Sequence, residues 1–252
     1  MNAIVRRASL AQIEGLRQQY CEEANCQIVR FTNLTRGFAY PIAVETDGKV
    51  VAYGAVRTTD DEDALIEYHC DEDVQSGSDG FVREILRFSG APWIESQSNI
   101  PTLQAISQRF GIEHEEGPIL FRRGQCHEIR LAGASFRPRG AADVIFAHSV
   151  EPIGDWVVEF AGRVVATGGC LTHYNAPYAD LFMEVEQSAR RCGFGSFLLQ
   201  ELQKVCASQG LIPAARCDHD NIASARCLVR SGMEMCGRIS RARVNVAMLA
   251  SE

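Results

Sequence analysis

Two short segments of this 252-residue chain are nearly the same, and they constrain the fold more than any other feature. Residues 48–54 read GKVVAYG and residues 162–168 read GRVVATG. In both places an apolar run precedes the first glycine and another follows it, a pattern typical of two strands around a tight turn. The chain therefore has two predicted hairpins of the same kind, at 41–58 and 156–173.

Further matches follow each hairpin in the same order. LIEY at 65–68 corresponds to FMEV at 182–185, and SNIPT at 98–102 corresponds to DNIAS at 220–224. Three matches in one order indicate an internal repeat. We interpret the chain as two copies of one α/β unit, each about 120 residues long.

The predicted fold class is α/β of the α+β type, with two tandem units, each a mixed, largely antiparallel sheet flanked by helices. A helix over about 10–23 is indicated by the capping-box spacing of Ser9 and Gln12 and by apolar residues at helical spacing. The apolar pattern breaks at 122–126, so we expect one domain at 1–123 and another at 124–252.

The composition narrows the class of protein. A formal charge of -7 argues against a general nucleic-acid binder, which requires a basic surface. No apolar stretch has the length of a membrane span and no signal peptide is recognisable, so we expect a cytoplasmic protein without a membrane partner. The 10 cysteines are scattered and are expected to be reduced. No metal site is predicted, because the paired Cys-x-x-Cys spacing of structural zinc is absent.

A glycine-containing turn precedes an amphipathic helical pattern in the second half. After a predicted strand at 178–185 the chain reads Arg190-x-x-Gly193-x-Gly195. Free N–H groups at a helix N-terminus attract anions, and glycines let a phosphate approach the backbone closely. A dinucleotide fingerprint requires a third glycine where this chain has Leu198, and a P-loop requires Gly-Lys-Ser/Thr. The motif alone leaves two interpretations open, a phosphate loop or a turn that packs a helix against a strand.

The order of elements from 125 to 246 resembles the GNAT superfamily of N-acetyltransferases. That order is a strand, a hairpin, a long strand, the R-x-x-G-x-G helix, a short strand, a second helix and two last strands. The resemblance rests on Arg190-x-x-Gly193-x-Gly195, Asn221-x-x-Ser224 and Ser231-Gly232-Met233. The first half is similar to a degenerate second copy, so the chain resembles a tandem GNAT protein.

The resemblance implies an enzyme that uses acetyl-CoA as cosubstrate and transfers the acetyl group to a primary amine by direct attack on the thioester. It places the backbone of Met183 and Val185 against the pantetheine arm and thioester, Asn221 facing the arm, and Ser224 near the coenzyme. It also places the pyrophosphate on the loop amides of Arg190, Arg191, Cys192, Gly193, Phe194, Gly195 and Ser196.

An alkylammonium acceptor must lose a proton before it can attack, so the site needs a base. Glu184 is the preferred candidate, with Asp180 and Glu186 behind it on or beside the same strand. Because strand side chains alternate, Glu184 shares a face with Asp180 only if the strand lacks the bulge expected there.

One departure from the family pattern concerns the acid that protonates the leaving thiolate. Many members carry a tyrosine where this chain has Leu228. A thiolate is a tolerable leaving group without an acid, and Tyr174 or Tyr178 can supply one if the 172–178 loop folds over the site.

The first half lacks the glycine loop. Residues 71–80 read DEDVQSGSDG, with four carboxylates that would repel a pyrophosphate. We therefore expect one coenzyme site per chain, with a small-molecule or protein amine of unidentified structure as acceptor. The chain is expected to be a monomer or homodimer. A non-catalytic acyl-CoA-binding regulatory module is the alternative function, favoured by Leu228 and by the unassigned base.

Overall fold

A computed structural model describes residues 3–58, 62–125, 127–149 and 151–250. These residues form two compact units. The first unit comprises the described parts of Met1–Gly117 and Arg238–Glu252, and the second comprises the described part of Pro118–Gly237. Each unit is described below by itself.

The first unit combines an open sheet with helices. Its elements in chain order are β1 (Ile4–Arg7), α1 (Leu10–Ala24), β2 (Ala39–Thr46), β3 (Lys49–Arg57), β4 (Ala64–Cys70), α2 (Ser78–Ser89), β5 (Trp93–Gln97), α3 (Pro101–Phe110), the beginning of β6 (Gly111–Arg123), the end of β12 (Met233–Val244) and α6 (Val246–Ala250).

The second unit repeats much of this sequence of elements. In chain order it has the end of β6, β7 (Ala134–Pro138), β8 (Trp156–Phe160), β9 (Arg163–Leu171), β10 (Tyr178–Val185), α4 (Phe194–Ser208), β11 (Ile212–Cys217), α5 (Ile222–Arg230) and the beginning of β12.

The strand pairings confirm the internal repeat. The first unit has the strand order β1-β2-β3-β4-β5-β12, and the second has the order β7-β8-β9-β10-β11-β6. In each unit one neighbouring pair is parallel, β4 with β5 and β10 with β11, and the other neighbouring strands within each unit are antiparallel. The two orders are the same, so each unit has the predicted mixed, largely antiparallel sheet.

The two predicted hairpins are also alike in their turns and in their strand registers. Asp47 and Gly48 both have positive φ, and so do Ala161 and Gly162, as a two-residue hairpin turn requires. Both hairpins also carry a register shift at the same place, between Val44 and Glu45 in one and between Val158 and Glu159 in the other.

The unit boundaries differ from the predicted domains at 1–123 and 124–252. β6 begins in the first unit and ends in the second, while β12 begins in the second and ends in the first. Residues 239–243 therefore pair with β5 rather than complete the second unit. The two predicted last strands are wrong, because the described chain after residue 232 has one long strand and then α6.

The register corrects one of the sequence matches. Tyr68 pairs with Gly54 in the first unit, and Met183 pairs with Gly168 in the second. Tyr68 therefore corresponds to Met183, and His69 corresponds to Glu184. The match of LIEY to FMEV is wrong by two residues, a slip that keeps every side chain on its face because strands have a period of two.

Helix α1 buries polar groups of the first unit on its inner face. Arg17 donates through Nε and Nη2 to the two carboxylate oxygens of Glu67, 2.9 Å in each case, and the Glu67 side chain is 0% exposed. Tyr53 donates to Glu67 at 3.1 Å. The buried His69 ring lies 3.2 Å from Gln19 Oε1. Side chains of α1 thus cover Glu67 and His69, which lie on one face of β4.

The buried His69 makes the stability of the folded state depend on pH. Burial lowers the pKa of His69, although Glu23, Asp71 and Glu72 act in the opposite direction. An unfolded histidine has a pKa of about 6.5, so below that pH the unfolded chain binds more protons at this position than the folded chain. The unfolding free energy is therefore expected to decrease as the pH falls below about 6.5.

Urea unfolding at a series of pH values checks this expectation. His69→Gln should flatten the decrease between neutral and mildly acidic pH, and the exposed His114→Gln should leave it unchanged. An identical slope in the His69 variant and the wild type would show that another group causes the pH dependence.

Candidate active site

The second unit contains a cavity where two parallel strands separate. β10 pairs with β11 only from Tyr178 to Asp180, and β10 then continues to Val185 without this partner. The opening leads to a cavity of about 280 Å³ whose lining includes Leu181, Met183 and Leu199. The predicted separation of the long strand from its neighbour is therefore present.

The N-terminus of α4 has the features of an anion site. Gly193 is the N-cap residue with φ +90° and makes no side-chain cap hydrogen bond, and the first turn contains no acidic residue. Arg191 also has a positive φ, 65°. The N–H groups at the start of the helix therefore have no side-chain cap and carry the positive end of the helix dipole, which suits a phosphate.

Gly195 lets α4 approach β10 closely. A Cβ atom on Gly195 would lie 3.2 Å from Cys227 Sγ and 3.3 Å from atoms of both Met183 and Val185. These are tight contacts, so a side chain at the second glycine of the motif would push α4 away from β10. The packing interpretation of the motif therefore applies to Gly195, and the phosphate-loop interpretation stays a prediction that concerns Gly193.

The other predicted loop residues surround this turn. Arg190 Nε donates to Val185 O at 3.1 Å, which ties the turn to the end of β10. Cys192 is exposed, Phe194 is buried, and the buried Ser196 donates to Cys227 O at 3.3 Å. The Ser196 hydroxyl thus holds α5 to α4.

Helix α5 provides another part of the cavity wall. Asn221 is its N-cap residue and accepts from Ser224 N at 3.1 Å, so its side-chain oxygen is engaged in the helix start. Ser224 and Leu228 both line the cavity. Leu228 is 3% exposed and fills the position where the family resemblance predicts an acidic hydroxyl.

Two of the predicted catalytic carboxylates lie in the cavity. The register between β9 and β10 is continuous from Asp180 to Val185, so the bulge expected in this stretch is absent and Asp180 and Glu184 share a face. Both side chains line the cavity. Asp180 Oδ2 lies 3.1 Å from His173 Nε2, at an angle poor for a hydrogen bond, and 3.7 Å from Arg216 Nε.

The remaining candidates lie elsewhere. Tyr174 is 3% exposed and packs edge-on against His173, with ring centroids 4.7 Å apart. Neither Tyr174 nor Tyr178 is among the described residues that line the cavity, and Glu186 is also absent from the lining. Glu186 lies instead 3.6 Å from Arg163.

The loop at 139–155, between β7 and β8, adds residues that sequence reasoning missed. His148, Glu151 and Pro152 of this loop line the cavity. Ser149 N donates to both carboxylate oxygens of Glu184 at 3.0 Å. No periodicity marks these residues, but the length of the segment is a signal, since long loops without secondary structure are often functional.

In the first unit, helix α1 occupies the place that corresponds to this cavity. α1 packs on β3 and β4 there, whereas the second unit has the 139–155 loop between its first two strands. Helix α2, the counterpart of α4, has Asp79 in its first turn, paired with Arg109 at 2.6 Å. The Asp79 carboxylate at the N-terminus of α2 would repel a coenzyme phosphate there.

Other kinds of site find little support in the described residues. No three His, Cys, Asp or Glu side chains among them cluster as a metal site requires. The described cysteines are free, and Cys206 Sγ lies 2.9 Å from Cys170 Sγ. No described helix is long and apolar enough to cross a membrane.

Comparison with known proteins identifies the fold. Residues 124–233 match the family model described as acetyltransferase (GNAT) family. No curated protein matches the chain. Among solved structures, a GNAT-family acetyltransferase from Colwellia psychrerythraea has a TM-score of 0.76 at 16% identity, with 96% of this chain and 100% of that chain covered.

Two further structures extend the comparison. A GCN5-related N-acetyltransferase from Sphaerobacter thermophilus has a TM-score of 0.61 at 14% identity, covering 96% of this chain and 95% of that chain. A tandem GNAT protein from the clavulanic acid biosynthesis pathway has a TM-score of 0.58 at 10% identity, covering 97% and 99%. The chain therefore has the fold of a tandem GNAT protein, and its residues 124–233 match the acetyltransferase (GNAT) family model.

Proposed function

We propose that this protein is an N-acetyltransferase that transfers the acetyl group of acetyl-CoA to a primary amine. The proposal rests on one observation, that three features occur together in the second unit. The N-terminus of α4 has no side-chain cap, β10 separates from β11 beside it, and the cavity between them contains carboxylates and histidines. We further propose that residues 124–252 contain the coenzyme site and that residues 1–123 lack one.

In this proposal the backbone from Arg190 to Ser196 holds the pyrophosphate, and the edge of β10 that β11 leaves free holds the pantetheine arm. Met183 and Val185 lie on that stretch of β10, where a backbone N–H directed at the thioester oxygen would stabilise the developing charge. Ser224 lies beside the arm. The residues present fit the group, because the first turn of α4 has no side-chain cap and no acidic residue that would repel a phosphate.

The charges in the cavity favour a cationic acceptor. Glu151, Asp180 and Glu184 line it together with a single arginine, Arg216. An alkylammonium ion is attracted to such a site by Coulomb forces. Glu184 and Asp180 share the face of β10 that lines the cavity, so in this proposal they attract and orient the amine.

Thiol release tests the proposal. The purified protein is mixed with acetyl-CoA and one amine at a time, and free CoA is measured with a thiol reagent. The amines are spermidine, lysine, tyramine, glucosamine and a peptide with a free N-terminus. We expect release with at least one amine and a product heavier by one acetyl group.

Isothermal titration with acetyl-CoA distinguishes the alternative function. Coenzyme binding without thiol release for any amine would favour a non-catalytic acyl-CoA-binding module, the role suggested by Leu228. No coenzyme binding at all would contradict both functions.

A further inference from the structure

The 139–155 loop is held in place by charged groups at its base. Arg137, in β7, donates to both oxygens of Asp143 at 2.8 Å and lies 2.7 Å from Glu159. Arg139 Nε donates to Gly154 O at 2.8 Å, which joins the two ends of the loop. These contacts hold the described part of the segment, from which His148, Glu151 and Pro152 line the cavity.

His148 is held in one tautomer by this loop. Its Nδ1 lies 2.9 Å from Phe146 O, and because a carbonyl oxygen can only accept, Nδ1 carries the proton. The ring also stacks on Phe146 with centroids 4.5 Å apart. The other nitrogen, Nε2, is then an acceptor, and Thr167 Oγ1 donates to it at 2.6 Å.

Thr167 connects His148 to the place where the chemistry would occur. It lies on β9 directly opposite Glu184 on β10, so the two side chains share a face, and both line the cavity with His148. We propose that His148 accepts the proton of the acceptor ammonium group through the Thr167 hydroxyl, an inference that rests on the proposed N-acetyltransferase function.

The proton transfer balances without another reactant. Thr167 Oγ1 takes one proton from the ammonium nitrogen, while the proton it already carries passes to His148 Nε2. The amine becomes neutral, its lone pair forms the N–C bond to the acetyl carbon, and the C–S bond breaks with its electron pair on sulfur. The thiolate takes the second proton lost by the amine, and the imidazolium returns its proton to solvent.

Histidine suits this role better than the nearby carboxylates. The imidazole of histidine is the side chain that proteins use most often as a general base. Both Glu184 oxygens accept from Ser149 N, and Asp180 lies between His173 and Arg216. Glu184 is thus a positioning residue that holds the loop. The titratable and charged groups on the same cavity wall are Glu151, His173, Asp180, Glu184 and Arg216.

His148→Gln tests the inference, with the exposed His114→Gln as the matched control. The amine that reacts fastest in the panel is compared with hydroxylamine, which is largely unprotonated at pH 7.5 and needs no base before attack. We expect His148→Gln to lower kcat about 100-fold for the alkylamine and to change the hydroxylamine rate only slightly. Acetyl-CoA affinity should stay unchanged.

Two further measurements separate catalysis from folding. Thr167→Val should reproduce the loss for the alkylamine alone, and added imidazole should restore part of the activity of His148→Ala. An alkylamine rate near that of wild type in His148→Gln, or an equal loss for both acceptors, would overturn the inference. Absence of thiol release from the wild type would instead contradict the proposed function.

Discussion

Replacing Gly193 with valine is expected to weaken acetyl-CoA binding by about 100-fold or more. Gly193 has φ +90°, a conformation that a β-branched residue adopts only with strain, so the N-cap of α4 must shift. The amides that would hold the pyrophosphate then no longer converge. A hydrogen bond to a charged group contributes about 1.5–3 kcal/mol, and two lost bonds account for the expected change.

Gly210→Val is the matched control for this variant. Gly210 lies just beyond the other end of α4, has φ +73° and has no atom within 4 Å of a built Cβ. It therefore introduces the same backbone strain without touching the loop. Titration calorimetry should show normal acetyl-CoA affinity for Gly210→Val, and equal losses in both variants would mean that strain in α4, rather than the loop, causes the effect.

A charge reversal provides an independent check of the loop. Arg190→Glu places a carboxylate beside the same amides and is expected to abolish detectable coenzyme binding, whereas Asp79→Asn in the first unit should leave binding unchanged. Normal binding by Arg190→Glu would show that the phosphate lies elsewhere.

Replacing Arg17 with methionine is expected to lower the unfolding free energy by about 3–5 kcal/mol. The variant leaves the Glu67 carboxylate buried without its guanidinium partner. Burial raises the pKa of the Glu67 carboxyl, and the bonds from Arg17 and Tyr53 oppose that rise. Without Arg17 the charged form loses its main stabilisation, so the folded state must either bury an unpaired charge or protonate the group.

Urea unfolding measures this loss, and the chain offers an exposed pair for comparison. Arg6 pairs with Glu45 at 3.0 Å, but their side chains are 36% and 23% exposed, so Arg6→Met should cost about 1 kcal/mol or less. The double variant Arg17→Met, Glu67→Leu should regain much of the lost unfolding free energy, because it also removes the buried carboxylate that lacks a partner. Equal effects of Arg17→Met and Arg6→Met would contradict the buried-pair account.

Much of the fold was predictable from local patterns. The turns at Gly48 and Gly162 require positive φ, and the strand at 178–185 and the helix after Gly193 follow directly from apolar spacing. These features depend on residues close together in the chain, which is why a single sequence indicates them.

The parts that were not predictable depend on distant residues. β6 and β12 each cross from one unit to the other, and no local pattern marks a change of partner within a continuous strand. The slip between LIEY and FMEV preserved strand alternation, so periodicity could not reveal it. His148 lies in an irregular loop held by Arg137 and Asp143, and contacts of that kind leave no periodic signal.

We propose that each chain has one coenzyme site, at the N-terminus of α4. Its counterpart in the first unit has Asp79 in the helix start and the side chains of α1 over β4. Titration calorimetry on the wild type and on Gly193→Val measures how many acetyl-CoA molecules each chain binds. The predicted result is one acetyl-CoA per wild-type chain and no measurable binding to Gly193→Val at the same concentrations. Two molecules per chain, or one that Gly193→Val still binds normally, would contradict it.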